Sequence, residues 1–224
     1  MKYRKLILAA ALVLGIAQVS NGQGITGSKH DFSTASWNNS TPISTYLQGQ
    51  KCRPCHAPHN ANNTTAGANS PLWGHMMSTA SYTPYSGYQM NATVGQPDGT
   101  SKMCLSCHDG TVALANFRTY TTGVTKIDSI SGGVSNMGTN LSNDHPISFV
   151  YDALLASADS KLYDPTTTSS GIAGGSTIDA DMLEKTTHKV QCISCHDAHN
   201  GAGGNHLLIK ANTASALCYT CHNK

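Results

Sequence analysis

Apolar residues are sparse along this chain, and they form two notable segments. The first is a continuous run over residues 6–17, directly after a basic start that contains Lys2, Arg4 and Lys5. The second, SFVYDALLASAD at 148–159, has the pattern of one short helix. Elsewhere Ser, Thr, Asn and Gly dominate, in runs such as NNTTAGANS and DPTTTSSGIAGGS. The pattern provides few large side chains for a packed core.

The N-terminal run predicts a signal peptide over residues 1–22. Its length suits the apolar region of an exported precursor and is short for a helix that spans a bilayer. Small residues at Ser20 and Gly22 favour cleavage after Gly22, which would leave Gln23 as the new N-terminus. An uncleaved anchor helix is the alternative. No later run is long enough to cross a membrane, so we expect no transmembrane segment.

Composition and charge exclude some classes of function. Aromatic residues make up 6% of the chain, so either part of it is disordered or a non-protein group supplies apolar mass. The chain has 14 basic and 12 acidic residues, and loss of the N-terminal segment would leave 11 basic residues. No basic cluster occurs, so we expect no nucleic-acid partner.

The eight cysteines all lie in C-x-x-C pairs, and a histidine follows each pair directly. We number the resulting C-x-x-C-H sequences motifs 1 to 4 in chain order: CRPCH, CLSCH, CISCH and CYTCH. The cysteines are Cys52, Cys55, Cys104, Cys107, Cys192, Cys195, Cys218 and Cys221. The histidines that follow them are His56, His108, His196 and His222.

Three other uses of paired cysteines explain this pattern less well. A disulfide framework is the default in an exported protein, but it needs no histidine after each pair. Zinc ribbons share two pairs per metal and do not require both histidines. Four thioredoxin-like dithiols in one chain would be unusual. C-x-x-C-H is the attachment motif of c-type haem, so the sequence predicts four covalent haem c groups with the adjacent histidine as an axial ligand.

Covalent haem also explains the thin apolar composition. Four large apolar macrocycles can serve as the core around which the chain wraps, and covalent bonds make long loops acceptable. We therefore predict a multihaem cytochrome c fold, mostly irregular coil with a few short α-helices around a chain of four stacked haems and little or no β-sheet.

The second axial ligands are predicted to be histidines. Seven histidines remain after the four motif residues, and four irons need at most four of them. His59 and His199 each lie three residues after a motif histidine, on the same face of a helical turn, so each could ligate a neighbouring haem but not its own. The alternative for both is a hydrogen bond to a propionate or carbonyl.

Three further histidines are candidate distal ligands. His75 lies in PLWGH, and His145 precedes Pro146, which favours an extended backbone. His30 lies close to the expected N-terminus, on an arm that could reach its own haem or one in another copy. His188 could be a ligand or a solvated side chain, and His206 precedes an apolar LLI segment that suggests packing. The methionines are expected to fill space around haems.

The chain contains a duplicated unit. CRPCHAPHN at 52–60 matches CISCHDAHN at 192–200, and each is followed by a plain motif. We predict a single tetrahaem domain over 23–224, with one haem pair in about 23–150 and a second in about 151–224. The middle segment, 111–187, has no cysteine and is expected to cover haem faces and supply His145.

With these residues the chain resembles tetrahaem c-type cytochromes with the doubled motif, and most of all the extracellular, filament-forming (OmcE-type) cytochromes of metal-reducing bacteria. The pieces that carry the resemblance are SKHDFS, CRPCHAPHN, PLWGH, CLSCHDGT, DHPISF, CISCHDAHN and ALCYTCH. The resemblance implies that every haem is bis-histidine and that a neighbouring subunit donates one distal ligand. His30 is the expected donor by its position on the N-terminal arm.

The predicted function is electron transport, because iron with two axial histidines has no free position for substrate. The expected partners are redox proteins, extracellular acceptors such as metal oxides, or copies of the chain in a homopolymer. The expected location is extracellular or at the cell surface, or else the periplasm. A monomeric periplasmic electron shuttle and a multihaem reductase with an open haem site are the alternatives.

Overall fold

The computed structural model describes residues 24–35, 49–59, 61, 71–118, 120–131, 134–202 and 205–223. The predicted signal peptide at 1–22 lies outside these ranges. Most of the described residues lie in turns and irregular coil, with a few short helices and one two-stranded sheet, which is compatible with a small haem-binding protein. Nowhere in the described ranges is there a helix with the length and apolar character needed to cross a bilayer.

The regular elements are short. The α-helices are α1 (Gly99–His108), α2 (Ile127–Ser131), α3 (Ala153–Ala158), α4 (Ile178–Met182) and α5 (Cys218–Cys221). Single 3-10 turns cover Phe32–Thr34, Cys192–Ser194, Asn205–Leu207 and Thr213–Ser215. Strands β1 (Phe149–Val150) and β2 (Lys189–Val190) are antiparallel, with Phe149 opposite Val190.

The helix predicted in 148–159 forms as α3, over the second half of that segment. Asp152 caps it, since its carboxylate accepts a hydrogen bond of 2.8 Å from the amide of Leu155. The first half of the segment is extended and contributes β1 instead. Because β2 ends two residues before Cys192, the pairing of β1 with β2 positions motif 3 against the middle of the chain.

The apolar side chains form two main clusters instead of one core. The first surrounds Phe117, with Leu114 and Ile127, and the half-buried Cys107 of motif 2 packs against it. The second contains the following residues: Phe149, Tyr151, Ala156, Ile178, Met182, Leu183, Val190 and Leu217. Cys195 of motif 3 and Cys221 of motif 4 pack against this second cluster. Both clusters therefore end at cysteines of the C-x-x-C-H motifs.

Candidate haem-binding centres

Each motif forms about one turn of helix. Motif 2 ends α1, motif 4 overlaps α5, and motif 3 begins with a 3-10 turn. In motif 1 the amide of His56 donates to the carbonyl of Cys52 over 2.8 Å. Residues three and four apart share a face of a helical turn, so each motif presents both thiols and its imidazole on one side. That arrangement fits attachment to one macrocycle.

The thiols of successive motifs lie next to one another. Cys55 of motif 1 is close enough to motif 2 to raise the pKa of Cys107, an effect that adds to the larger one of burial. The Cys104 and Cys192 thiols are in contact, and this contact lowers the pKa of Cys192. Burial, with a smaller contribution from nearby Cys195, raises the pKa of Cys221 to about 12. The attachment points therefore follow one another in the order of motifs 1 to 4.

Backbone carbonyls hold three of the four motif imidazoles in place. The Nδ1–H of His56 donates to the carbonyl of Pro71 over 2.6 Å, and that of His108 donates to the carbonyl of Ser135 over 2.8 Å. His196 makes the same bond to the carbonyl of residue 206 over 2.9 Å. Such a bond fixes the tautomer and leaves Nε2 available to a metal.

Three of the four motif histidines face a second imidazole. The ring centroids are 6.0 Å apart for His56 and His199, 6.1 Å for His108 and His30, and 6.3 Å for His222 and His145. Two imidazoles on opposite sides of a metal, each with its nitrogen about 2 Å away, have centroids roughly 6 Å apart. These residues therefore fit iron held between two histidines.

The fourth motif histidine differs. All eleven histidines lie in the described ranges, and none of them makes a ring contact with His196 there. His196 and His199 are both exposed, and His199 is directed to motif 1. Within one chain, the described residues leave the second axial position at motif 3 without a histidine in place.

The N-terminal arm is folded back onto its own chain. Asp31 accepts hydrogen bonds from the amides of Gly27 (2.8 Å) and Ser33 (3.2 Å) and lies 3.8 Å from Lys51, next to motif 1. His30 lies in this folded arm, against the ring of His108. Burial there lowers the pKa of His30, and the His30 Nδ1 lies 3.1 Å from the carbonyl of Ala198. The expectation that His30 serves another copy thus has no support in this arrangement.

The other predicted distal ligands, His59 and His75, lie in contrasting environments. His59 is exposed. His75 is 1% exposed, and its Nε2 lies 3.5 Å from the Cys107 sulfur. Its Nδ1 donates to the carbonyl of Met76 over 2.9 Å and lies 3.2 Å from the hydroxyl of Ser106. His75 thus packs against motif 2, and burial lowers its pKa.

A second repeat, which the sequence did not reveal, follows each C-x-x-C-H-x-x-H stretch. Segment 71–74 binds motif 1 through the carbonyl of Pro71 and the amide of Gly74, which donates to Cys55 over 2.7 Å. Segment 206–209 binds motif 3 in the same way, and the Ile209 amide donates to the Cys195 carbonyl over 3.0 Å. The second residue of each segment has a positive φ, 54° for Leu72 and 57° for Leu207.

The match continues into the following motif. The residue that follows each segment contacts a side-chain hydroxyl in the next motif. That hydroxyl belongs to the residue two positions before the motif histidine. His75 meets Ser106 in this way, and Lys210 donates to Thr220 over 2.9 Å. The spacing from motif to segment differs between the copies, and the two segments share only their leucine, so no sequence signal marked this repeat.

A buried glutamine joins motifs 2 and 3. Gln191 is 1% exposed and precedes Cys192 directly. Its Oε1 accepts from the amide of Ser101 in α1 (3.3 Å) and the hydroxyl of Ser148 (3.1 Å), and its Nε2 donates to Asp98 (3.0 Å). The motifs themselves gave no hint of this role, because the signal lies in contacts between distant residues.

Comparison with known protein families agrees with the chemistry of the motifs. Residues 186–224, which contain motifs 3 and 4, match the family described as Doubled CXXCH motif. This part of the chain is therefore similar to multihaem c-type cytochromes. No curated protein matches the chain. The C-x-x-C-H motifs indicate covalently bound haem c and a cytochrome-like role in electron transfer.

Proposed function

We propose that this protein is an exported tetrahaem electron carrier in which imidazoles occupy both axial positions of each iron. The observation that carries the proposal is the set of three histidine pairs with centroids 6.0 to 6.3 Å apart. Bound haem c supplies reversible one-electron chemistry. The cysteines of motifs 1 to 4 are the proposed attachment residues.

The protein residues set the character of the site. Hydrogen bonds from Nδ1 to backbone carbonyls keep the imidazoles of His56, His108 and His196 oriented, with Nε2 free. Paired imidazoles exclude other ligands from the axial positions, which favours electron transfer over substrate chemistry. A reductase would need acid–base groups beside an open axial position. Among the described residues of a single chain, motif 3 is the motif whose histidine has no second imidazole opposite it, so the reductase alternative applies there alone.

The adjacency of the thiols supports a single tetrahaem domain over 23–224. Contacts between Cys104 and Cys192 join the proposed haem pair of about 23–150 to that of about 151–224. We propose that the carrier works outside the cytoplasm, at the cell surface or beyond it, as a polymer like the filaments that the sequence resembles. Its partners would be redox proteins, extracellular acceptors and copies of itself. A monomeric periplasmic shuttle remains the alternative.

Three measurements on native protein test this proposal. Mass spectrometry should show four covalent haems per chain, and electron paramagnetic resonance should show low-spin iron at motifs 1, 2 and 4. Carbon monoxide should bind to at most one reduced iron per dispersed chain. Absence of covalent haem, or carbon monoxide uptake at most irons, would overturn the proposal. Electron microscopy of material sheared from cells separates the polymer from the shuttle.

A further inference from the structure

The side chains that contact motifs 2 and 4 from the two matching segments differ in charge. His75 lies against Ser106 of motif 2, with its Nδ1 3.2 Å from the hydroxyl. Lys210 has the equivalent place at motif 4, where its ammonium donates to the hydroxyl of Thr220 over 2.9 Å. Burial lowers the pKa of His75, which favours the neutral imidazole. Motif 4 therefore has a positive charge where motif 2 has a neutral side chain.

The Lys210 ammonium is fixed at motif 4 and is not paired with a carboxylate. It also donates to the carbonyl of the fully buried Ser170 over 2.7 Å. The carboxylate of Asp181 accepts from the hydroxyl of Ser170 over 2.5 Å, and Lys210 forms no ion pair with any described residue. Burial raises the pKa of Cys221 and the Lys210 charge opposes that rise, so the field of the ammonium reaches an attachment sulfur of motif 4.

A second charge difference has the same direction. Asp109 follows motif 2 directly and is 3% exposed, whereas the neutral Asn223 follows motif 4 directly. The Asp109 carboxylate accepts hydrogen bonds from the hydroxyl of Tyr82 (2.6 Å) and from the amide and the hydroxyl of Thr111 (2.8 Å each). Three donors stabilise the ionised form of a carboxylate. A buried negative charge therefore lies beside motif 2.

Two further lysines near these motifs are not fixed in the same way. Lys102 precedes Cys104 by two residues, and its side chain forms no hydrogen bond with a described residue. Lys161 is exposed, and it is its carbonyl that accepts from the amide of Asn223 over 2.8 Å. A lysine side chain without such bonds carries its charge into solvent, where salt and water screen it. Lys210 and Asp109 therefore dominate the local difference between motifs 2 and 4.

We infer that Lys210 and Asp109 make the haem at motif 4 easier to reduce than the haem at motif 2, so that motif 4 is the first of the two to take up an electron. The inference rests on the proposed function and adds an order to it. Reduction adds one electron, supplied by a reduced redox protein, to ferric iron, and no bond is made or broken. A positive charge stabilises the added electron and a negative charge destabilises it, most strongly where solvent is excluded.

Redox titration of the haem-loaded wild-type protein, followed by electron paramagnetic resonance, tests this order. The ferric signal that His145→Ala removes reports motif 4, and the one that His30→Ala removes reports motif 2. As the applied potential is lowered, the motif 4 signal should disappear first. Loss of the motif 2 signal at the same potential or at a higher one would overturn the inference.

Variants at two lysines assign the effect to Lys210. Lys210→Met removes the charge and should lower the midpoint potential at motif 4, with the ferric form favoured about tenfold more than in wild type, which corresponds to about 59 mV for a one-electron couple. Lys210→Arg keeps the charge and should retain most of the wild-type value. Lys161→Met is the matched control, since it removes an exposed charge and should leave the midpoint unchanged.

Asp109→Asn tests the other charge, and it should raise the midpoint potential at motif 2 while that at motif 4 stays the same. An unchanged motif 4 midpoint in Lys210→Met, or the same shift in Lys161→Met, would overturn the inference. The wild-type titration decides the order even where a variant fails to mature. Four covalent, reversibly reduced haems would leave the proposed function intact in all these cases, whereas wild-type protein without covalent haem would overturn that function itself.

Discussion

The chain contains two units with the same parts, the first from His30 to motif 2 and the second from His145 to motif 4. Among the described residues, only the first unit has a second imidazole at both of its motif histidines. Both of its motif histidines face an imidazole, His56 through His199 and His108 through His30. In the second unit His222 faces His145, and His196 faces no described histidine. The two C-x-x-C-H-x-x-H stretches also share their backbone contacts. Local sequence therefore sets how a motif holds its own imidazole, whereas the second imidazole comes from a part of the chain that is distant in sequence.

The strongest way to break the comparison is to remove the upstream histidine of each unit. His30→Ala and His145→Ala should each convert one low-spin iron to a high-spin form that binds carbon monoxide, because each removes an imidazole opposite a motif histidine. Titration with carbon monoxide measures the number of opened irons. A low-spin spectrum in His30→Ala protein would show that the two upstream histidines are not equivalent.

The contact beside motif 1 should be less tolerant of added volume than an open loop. A Cβ at Gly74 would lie 2.2 Å from a ring carbon of Phe117, whereas a Cβ at Gly95 would meet nothing within 4 Å. Gly74→Ala should therefore destabilise the protein by about 1–3 kcal/mol through overpacking. Gly95→Ala is the matched control, and thermal unfolding measures both. Equal stability of the two variants would contradict this account of motif 1.

The contact between motifs 2 and 3, which joins the two units, should depend on the hydrogen bonds of Gln191. Replacement by Leu removes a buried amide and leaves the Asp98 carboxylate and the Ser101 amide without this partner, at a cost of about 1–3 kcal/mol for a buried unsatisfied group. Gln96→Leu is the control, since Gln96 exchanges two 2.8 Å bonds with Tyr82 but joins no motifs. Denaturant unfolding gives the stabilities.

Circular dichroism in the Soret band gives a second measurement on the same two variants. It should change only in Gln191→Leu, because the signal depends on the relative orientation of haems. An unchanged Soret spectrum would show that Gln191 does not set the relation between motifs 2 and 3.

The same junction should weaken in acid. Burial acts to raise the pKa of Asp98, but hydrogen bonds from Lys189 and Gln191 outweigh it and lower the pKa below its usual 3.8. A lowered carboxyl pKa stabilises the fold above the unfolded value, and this contribution is lost as pH falls below about 4. Asp98→Asn should therefore lose less stability than wild type over that range. Thermal unfolding on either side of that pH measures the difference.

The smallest expected effect concerns the angle between the planes of the two paired imidazoles at each motif. The two imidazoles are 16° from parallel at motif 1, 47° apart at motif 2 and 76° apart at motif 4. Near-perpendicular axial imidazoles give a strongly anisotropic low-spin signal, and near-parallel ones give a rhombic signal. Electron paramagnetic resonance should therefore assign the most anisotropic signal to motif 4, and His145→Ala should remove it.

Much of the site could be predicted because it depends on local sequence. The motif spacing identified the candidate attachment residues, which stay a prediction, and the apolar pattern at 148–159 predicted α3. The pairing of His199 with motif 1 agrees with the expectation that it cannot reach its own haem. Gln191 could not be found in this way, because it bonds to Ser101, which lies 90 residues away. The role of segment 206–209 could not be predicted from the sequence, because backbone atoms make its contacts with motif 3 and these contacts depend little on side-chain identity.

The separation of the two main apolar clusters has a consequence for folding. Each cluster ends at motif cysteines, Cys107 in one case and Cys195 with Cys221 in the other. If haem is attached as proposed, a chain that lacks it would leave these cluster edges uncovered. Covalent attachment would then complete the packing of both clusters.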